Sequence, residues 1–177
     1  LAIIRAINNN TAITANITSI ALTVTGITAN NKVYDGTTTA TLNTGSANLN
    51  GVLGTDVVVL ISSGAAGTFA NKNAGTAKSV SISGFTLRGI DAINYTLTQP
   101  TATADITASA LTVSGITANN KVYDGTTAAT LNIGSAALGG VFGTDAVTLG
   151  STGVSGIFEN SNVGTAKAVL ISGFTFG

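Results

Sequence analysis

Residues Ala21–Thr38 read ALTVTGITANNKVYDGTT, and residues Ala110–Thr127 repeat that string with one change, Ser114 in place of Thr25. Each string opens with apolar and polar residues in alternation, the pattern of a strand with one buried face. Each closes around Asp-Gly, a strong hairpin signal because glycine adopts a positive φ without steric cost. The string therefore predicts a β fold that the chain contains twice.

The repeat extends well beyond this string. An offset of 89 positions aligns Ala21–Arg88, here called the first copy, with Ala110–Gly177, the second copy. The alignment needs no gap, and 48 of its 68 pairs are identical. Self-similarity at a fixed period is the signature of a repeat array. The chain is therefore interpreted as a tandem array of one unit.

The first twenty residues resemble the stretch between the two copies. LAIIRAIN at Leu1–Asn8 is similar to LRGIDAIN at Leu87–Asn94, and TAITANIT at Thr11–Thr18 is similar to TATADIT at Thr101–Thr107. Residues 1–20 thus look like the tail of an earlier copy, and the chain is expected to be an internal fragment of a longer protein.

Two divisions into domains follow from this arrangement. The first places β-sandwich repeats at residues 1–87 and 88–177, with the tail-like strand at 1–20 opening the first of them. The second takes residues 20–108 as a whole unit flanked by incomplete ones. We favour the first division, because a unit that lacks a strand would expose a sheet edge to other chains.

The spacing of turn residues indicates the architecture. Glycines recur about every ten residues between short alternating runs, which is typical of an all-β sandwich or barrel. Roughly seven strands in each unit would suit an immunoglobulin-like β-sandwich. The prediction is therefore two tandem sandwiches joined by a short extended linker, with a parallel β-helix as the rival. The apolar run Val57–Ile61 is predicted to be a buried central strand, and four phenylalanines are predicted to lie in the cores: Phe69, Phe85, Phe158 and Phe174.

Composition excludes several classes of protein. Seven basic and seven acidic residues give no net charge, so no basic surface for nucleic acid is expected. The absence of cysteine excludes disulfide scaffolds and thiolate metal sites. No apolar run is long enough for a membrane-spanning helix, and the apolar start LAIIRAINNN is too short for a signal peptide.

The duplicated KVYDGTT motif has a structural interpretation. The carboxylates of Asp35 and Asp124 can accept the backbone N–H two residues on, and Gly36 and Gly125 complete each turn. We expect the rings of Tyr34 and Tyr123 to fill the ends of the cores. We expect Lys32 and Lys121 to be charges that protect strand edges.

Catalytic chemistry finds little support in the sequence. The chain has no histidine, which excludes Ser-His-Asp and Cys-His catalysis. No phosphate-binding loop and no convincing pair of acids for glycoside hydrolysis is present. The chain is therefore predicted not to be an enzyme and to need no cofactor. Calcium is the only candidate ion, and its candidate ligands Asp56, Asp91 and Asp145 are isolated acids that also suit turns.

A self-formed isopeptide crosslink is the sharpest chemical alternative. Some immunoglobulin-like adhesin domains join a lysine to an asparagine beside a buried acid. The matching sets here pair Lys32 with Asn8 and Lys121 with Asn94. Such a lysine must lose its charge through burial. Lys32 precedes a turn, which favours exposure and argues against this alternative.

Three long stretches carry a family resemblance: KVYDGTTTATL, GTFANKNAGTAKSVSISGFTL and GIDAINYTLTQPTATADITASALTV. They resemble the YDG repeat of very large bacterial surface and secreted proteins of the filamentous-haemagglutinin and adhesin type. The resemblance covers residues 20–177, whereas AINNNTAITANIT departs from the pattern. It implies an extracellular or cell-surface location, and it carries over no catalytic residue.

The function expected from the resemblance is structural. Such repeats would form a spacer that projects an adhesive or toxic tip or builds an extracellular fibre. The partners are then neighbouring repeats of the same chain, with no nucleic acid and no membrane insertion. Two alternatives stay open: a filament subunit completed by strand exchange between chains through residues 1–19, and a module that binds glycan or protein.

Overall fold

The computed structural model describes residues 15–177, and the fold in this range is all-β. One 3-10 turn, Ala92–Asn94, accompanies the strands. Twelve strands belong to the first copy and the segment that follows it: β1 Ile20–Thr25, β2 Thr28–Ala29, β3 Lys32–Val33, β4 Thr39–Ala40, β5 Leu42–Asn43, β6 Asn48–Asn50, β7 Val59–Ile61, β8 Ala66–Phe69, β9 Gly75–Ser83, β10 Thr86–Arg88, β11 Tyr95–Thr98 and β12 Thr101–Thr107.

Nine strands of two to four residues follow in the second copy. They are β13 Thr112–Ser114, β14 Thr117–Ala118, β15 Ala128–Ala129, β16 Leu131–Asn132, β17 Ala137–Gly139, β18 Leu149–Gly150, β19 Ser155–Phe158, β20 Val169–Ser172 and β21 Thr175–Phe176. Among residues 15–177, no helix is long and apolar enough to cross a membrane.

Cα packing groups the chain into two units that do not follow the sequence copies. Among the described residues, unit 1 consists of residues 15–30, 40–68 and 79–103, and unit 2 consists of residues 31–39, 69–78 and 104–177. The division of the chain at residues 87 and 88 stays a prediction.

Small sheets make up unit 1. Strand β1 lies between β11, to which it is parallel, and β6, to which it is antiparallel. Strands β7 and β10 form an antiparallel pair, as do β2 and β5. Strand β1 alternates as the sequence predicts, with Leu22 and Val24 buried and their neighbours exposed.

In unit 2, strand β19 lies between β15 and β20, and three antiparallel pairs join β13 to β17, β14 to β16 and β18 to β21. Unit 2 also contains a paired stretch of β3 and β12. Within it, β12 runs parallel to β3 and pairs Ile106 with Lys32 and Thr107 with Val33.

The run Val57–Ile61 is not the buried central strand that its hydrophobicity predicts. Only Val59–Ile61 forms a strand, β7, and its sheet has two members. Val57 and Val59 are each more than half exposed. Hydrophobicity alone does not distinguish a strand covered on both faces from one that pairs along a single edge, so the prediction was wrong.

Among residues 15–177, the buried apolar side chains all lie between Leu22 and Ile106. Phe69 and Phe85 belong to this core as predicted, whereas their counterparts Phe158 and Phe174 are only half-buried. Val80 is completely buried, but the equivalent Val169 is half-buried. Since the two copies share most of their sequence, the local sequence alone does not account for the difference. Strands β11 and β12 pack beside the first copy, and no strand among residues 15–177 takes their place beside the second.

Candidate functional site

The KVYDGTT turn of the first copy is closed by its own lysine. The Lys32 ammonium lies 2.7 Å from the Asp35 carboxylate and donates to the carbonyls of Thr37 and Thr39 at 3.0 and 3.1 Å. The same Asp35 oxygen accepts the backbone N–H of Thr37 at 2.9 Å and its hydroxyl at 2.8 Å. Gly36 has a φ of +77°. The predicted bond from the N–H two residues on is therefore present.

The second copy reproduces this geometry. The Lys121 ammonium lies 2.7 Å from Asp124 and donates to the carbonyls of Thr126 and Ala128 at 2.9 and 3.2 Å. Asp124 accepts the N–H of Thr126 at 2.9 Å, and Gly125 has a φ of +76°. The same turn thus forms in two settings that differ in burial, which indicates that the motif itself determines it.

Both aspartates are strongly acidic. The Lys32 ammonium, followed by the N–H and hydroxyl of Thr37, lowers the pKa of Asp35 from 3.8 to about 2. Lys121 and Thr126 lower the pKa of Asp124 to about 2 in the same way. Each lysine also lies against a phenylalanine ring, Lys32 at 5.8 Å from the centroid of Phe69. The charged groups of the motif are engaged in closing their own turn.

The lysine side chains bond within the turn, so they do more than protect a strand edge from pairing. Strand β3 is at the edge of its sheet, as predicted, but the Lys32 side chain is only 17% exposed. The proposed isopeptide pairs stay predictions. Asn8 lies outside the described residues. The Lys121 ammonium donates hydrogen bonds to Thr126 and Ala128 and forms an ion pair with Asp124.

The tyrosines follow the core prediction only in part. Tyr34 is half-buried, but Tyr123 is 64% exposed, so the prediction for Tyr123 was wrong. The buried tyrosine is Tyr95, whose hydroxyl donates to Asp56 at 2.6 Å and accepts the N–H of Leu53 at 3.1 Å. The Asp56 carboxylate raises the pKa of Tyr95.

Asp145, the counterpart of Asp56, has other partners. It accepts from the hydroxyl of Tyr34 and from the ammonium of Lys72. Lys72 and then Tyr34 lower the pKa of Asp145, and Asp145 raises that of Lys72. This cluster is not among the sites predicted from the sequence. A signal was available, because Lys72 differs from its counterpart Ser161 within an otherwise similar stretch.

The calcium candidates do not come together. Asp56 accepts from Tyr95, Asp91 accepts the N–H of Val57 at 2.8 Å, and Asp145 is paired as above. Within residues 15–177, no three acidic residues lie close enough to hold a metal ion. These acids therefore bond to protein donors in turns and tyrosine contacts.

Strand β12 is the element that covers the turn in the first copy. Its carbonyl at Thr107 accepts the N–H of Tyr34 at 2.8 Å. The Asp105 N–H donates to the side chain of Asn31 at 2.7 Å, and the Asp105 carboxylate accepts the N–H of Ala77 at 2.7 Å. Ala77 has a φ of +47°, a left-handed conformation that is costly for alanine. We call Thr101–Thr107 the closing strand, since it joins the turn to the start of β9.

The second copy has a groove at the matching position. The groove has a volume of about 770 Å³, and its walls include Asn120, Lys121–Tyr123 and Gly164–Lys167. Ala166 has a φ of +51°, as its counterpart Ala77 has +47°. Among residues 15–177, no strand occupies this groove. The geometry that receives a closing strand is thus already formed in the second copy.

Comparison with known proteins identifies the family of the chain. No curated protein and no solved structure matches the chain. The family model described as the YDG domain matches residues 11–104 and residues 107–177, so that two matches cover nearly the whole chain. The chain therefore belongs to the YDG domain family.

Proposed function

We propose that the chain is a spacer segment of a large bacterial cell-surface or secreted adhesin. In this proposal each repeat closes an immunoglobulin-like β-sandwich, and tandem repeats carry a functional tip away from the cell or build an extracellular fibre. The observation that carries the proposal is the duplicated turn. Lys32, Asp35 and their counterparts Lys121 and Asp124 use their polar groups within the turn.

A repeated structural turn suits a spacer for a physical reason. In a tandem array each unit contacts mainly its neighbours, so length and stability grow by addition of units. Such an array needs a fold that every copy can form by itself from local contacts. The two KVYDGTT turns have nearly the same internal distances although their surroundings differ.

Solution scattering on chains with two, four and six copies tests the proposal. A spacer should gain a constant increment in its maximum dimension with each added copy, so that doubling the copies about doubles this length. A compact chain would behave differently, because its radius of gyration rises only about 1.3-fold when its length doubles. Growth on the compact curve would contradict the proposal. The measurement is made in dilute solution, where contacts between chains do not contribute.

A further inference from the structure

Four oxygen atoms surround the side-chain ammonium of the first KVYDGTT lysine. The Lys32 ammonium lies 2.7 Å from the Asp35 carboxylate. It also donates to the hydroxyl and the carbonyl oxygen of Thr37 at 2.9 and 3.0 Å, and to the carbonyl oxygen of Thr39 at 3.1 Å. We call these four atoms the oxygen cage. The Phe69 ring faces the same ammonium with its centroid 5.8 Å away, a distance at which aromatic faces attract cations.

The second copy builds the same oxygen cage around Lys121. Its ammonium lies 2.7 Å from the Asp124 carboxylate and donates to the hydroxyl and the carbonyl oxygen of Thr126, each at 2.9 Å. The fourth oxygen is the carbonyl of Ala128 at 3.2 Å, and the Phe158 ring centroid lies 6.0 Å away. The residue that supplies this fourth oxygen differs between the copies, because the oxygen belongs to the backbone. The cage therefore depends on the path of the turn and on the aspartate and threonine of the motif.

The oxygen cage is held by bonds in which the lysine takes no part. The Asp35 carboxylate accepts the N–H of Thr37 at 2.9 Å and its hydroxyl at 2.8 Å. Since the Thr37 hydroxyl donates its hydrogen to Asp35, its lone pairs can face a cation. The Phe69 N–H donates to the Thr38 carbonyl at 2.8 Å and so anchors the backbone between the two carbonyls of the cage. A site whose walls are fixed in advance loses little entropy when it binds a ligand.

We propose that each KVYDGTT turn is a binding site for a primary ammonium cation, which the chain fills with its own lysine. One carboxylate and three neutral oxygens carry a single negative charge, which matches a monovalent cation, whereas calcium sites take about six to eight oxygens. A primary ammonium supplies three N–H donors for these oxygens, and the aromatic ring adds a cation–π contact. The ligand class is therefore a short primary alkylammonium.

The tethered cation has a consequence for the repeat. The Lys32 side chain is 17% exposed and that of Lys121 is 26% exposed, so each ammonium reaches its cage along a largely covered stem. A ligand joined to its site by the same chain has an effective concentration that the surrounding solution does not change. The turn thus closes without a dissolved ion. The inference goes beyond the spacer proposal and does not rest on it.

Chemical rescue of a chain without the lysine side chain tests the inference. Lys32→Ala removes the atoms that correspond to propylammonium and leaves the oxygen cage in place. The urea midpoint of the full chain should fall, and added propylammonium chloride should raise it again in a saturable manner. At about ten times its dissociation constant, propylammonium should raise the folded-to-unfolded ratio about tenfold. In an NMR titration, the Thr37 N–H signal should shift with the same dissociation constant.

Three controls separate the cage from general effects of salt. Tetramethylammonium chloride has the charge but no N–H donor, so it should leave the midpoint of Lys32→Ala almost unchanged. Lys78→Ala is the matched variant, because the Lys78 ammonium donates to one side-chain oxygen, that of Asn71, at 2.6 Å. Propylammonium should not rescue it. Adding Asp35→Asn to Lys32→Ala should weaken propylammonium binding at least about tenfold, because the charged acceptor is lost.

Lys121→Ala repeats the test in the second copy and keeps the inference testable if Lys32→Ala does not fold. The inference is overturned if propylammonium stabilises neither lysine variant or if tetramethylammonium stabilises both equally well. It is also overturned if Lys78→Ala responds to propylammonium as strongly as they do. Each of these results leaves the scattering test of the spacer proposal unaffected.

Discussion

At the scale of single residues, the lysine of the KVYDGTT motif determines the acidity of its aspartate. The Lys32 ammonium is the largest influence on Asp35, and backbone and hydroxyl donors of Thr37 add to it. All of these groups belong to one seven-residue stretch. The chemical character of the motif is therefore local, which explains why both copies show the same lowered pKa.

Replacement of the lysine should raise the pKa of Asp35 towards its ordinary value. In the unaltered chain, carbon-detected NMR should place the titration midpoint of Asp35 at about 2, and in Lys32→Met the midpoint should move up towards 3.8. Because the folded-state pKa is below the unfolded value, the Asp35 contribution to stability is complete above about pH 4 and is lost as the pH falls towards 2. Asp124 provides the internal control, since its own lysine is unchanged. An unaltered Asp35 midpoint in Lys32→Met would contradict this explanation.

The buried tyrosine should contribute more than the exposed one. Tyr95→Phe removes the hydroxyl that bonds to Asp56 and Leu53, so we expect the free energy of unfolding to fall by about 1–2 kcal/mol. Tyr123→Phe is the control and should change it by less than about 0.5 kcal/mol, because that side chain is 64% exposed. Urea unfolding measures both variants. Equal effects would show that the Tyr95 hydroxyl has no special role.

At the scale of elements, the sequence predicts local structure better than it predicts which distant strands bury a segment. The alternation in β1 and the Asp-Gly turn follow from contacts within a few residues, and both predictions were confirmed. Exposure of Val57–Ile61 and of Tyr123 depends on which distant strands pack nearby, and these predictions failed. The Tyr34–Lys72–Asp145 cluster joins positions up to 111 residues apart, so the difference between Lys72 and Ser161 marks a position but does not reveal its partners.

The closing strand should contribute to stability through its buried isoleucine. Ile106→Ala removes a side chain that is 2% exposed, so the free energy of unfolding should fall by about 2–5 kcal/mol. Ile17→Ala makes the same chemical change at the equivalent position in an exposed segment and should have almost no effect in dilute solution. Thermal and urea unfolding at low concentration compare the pair. If the two variants lose equal stability, β12 is not part of the folded core.

At the scale of the whole molecule, the two sequence copies differ in what lies beside the turn among residues 15–177. The first copy has β12 beside its turn, with the N–H groups of Tyr34 and Ala77 bonded to that strand. The second copy has the same residues around a groove that no strand among residues 15–177 fills. The central claim is that a YDG repeat folds its turn by itself and is completed by a separate closing strand.

Amide hydrogen exchange followed by NMR tests this claim most directly. In dilute solution, the N–H groups of Tyr34 and Ala77 should exchange slowly, whereas those of Tyr123 and Ala166 should exchange at least about tenfold faster, because exposed backbone bonds open at low free energy. Addition of a synthetic peptide TATADITA, the sequence of residues 101–108, should slow exchange at Tyr123 and Ala166 and leave Tyr34 and Ala77 unchanged. A peptide in which the aspartate and isoleucine are exchanged for lysine and serine is the control. Equal protection of both copies without peptide, or no added protection with it, would contradict the claim.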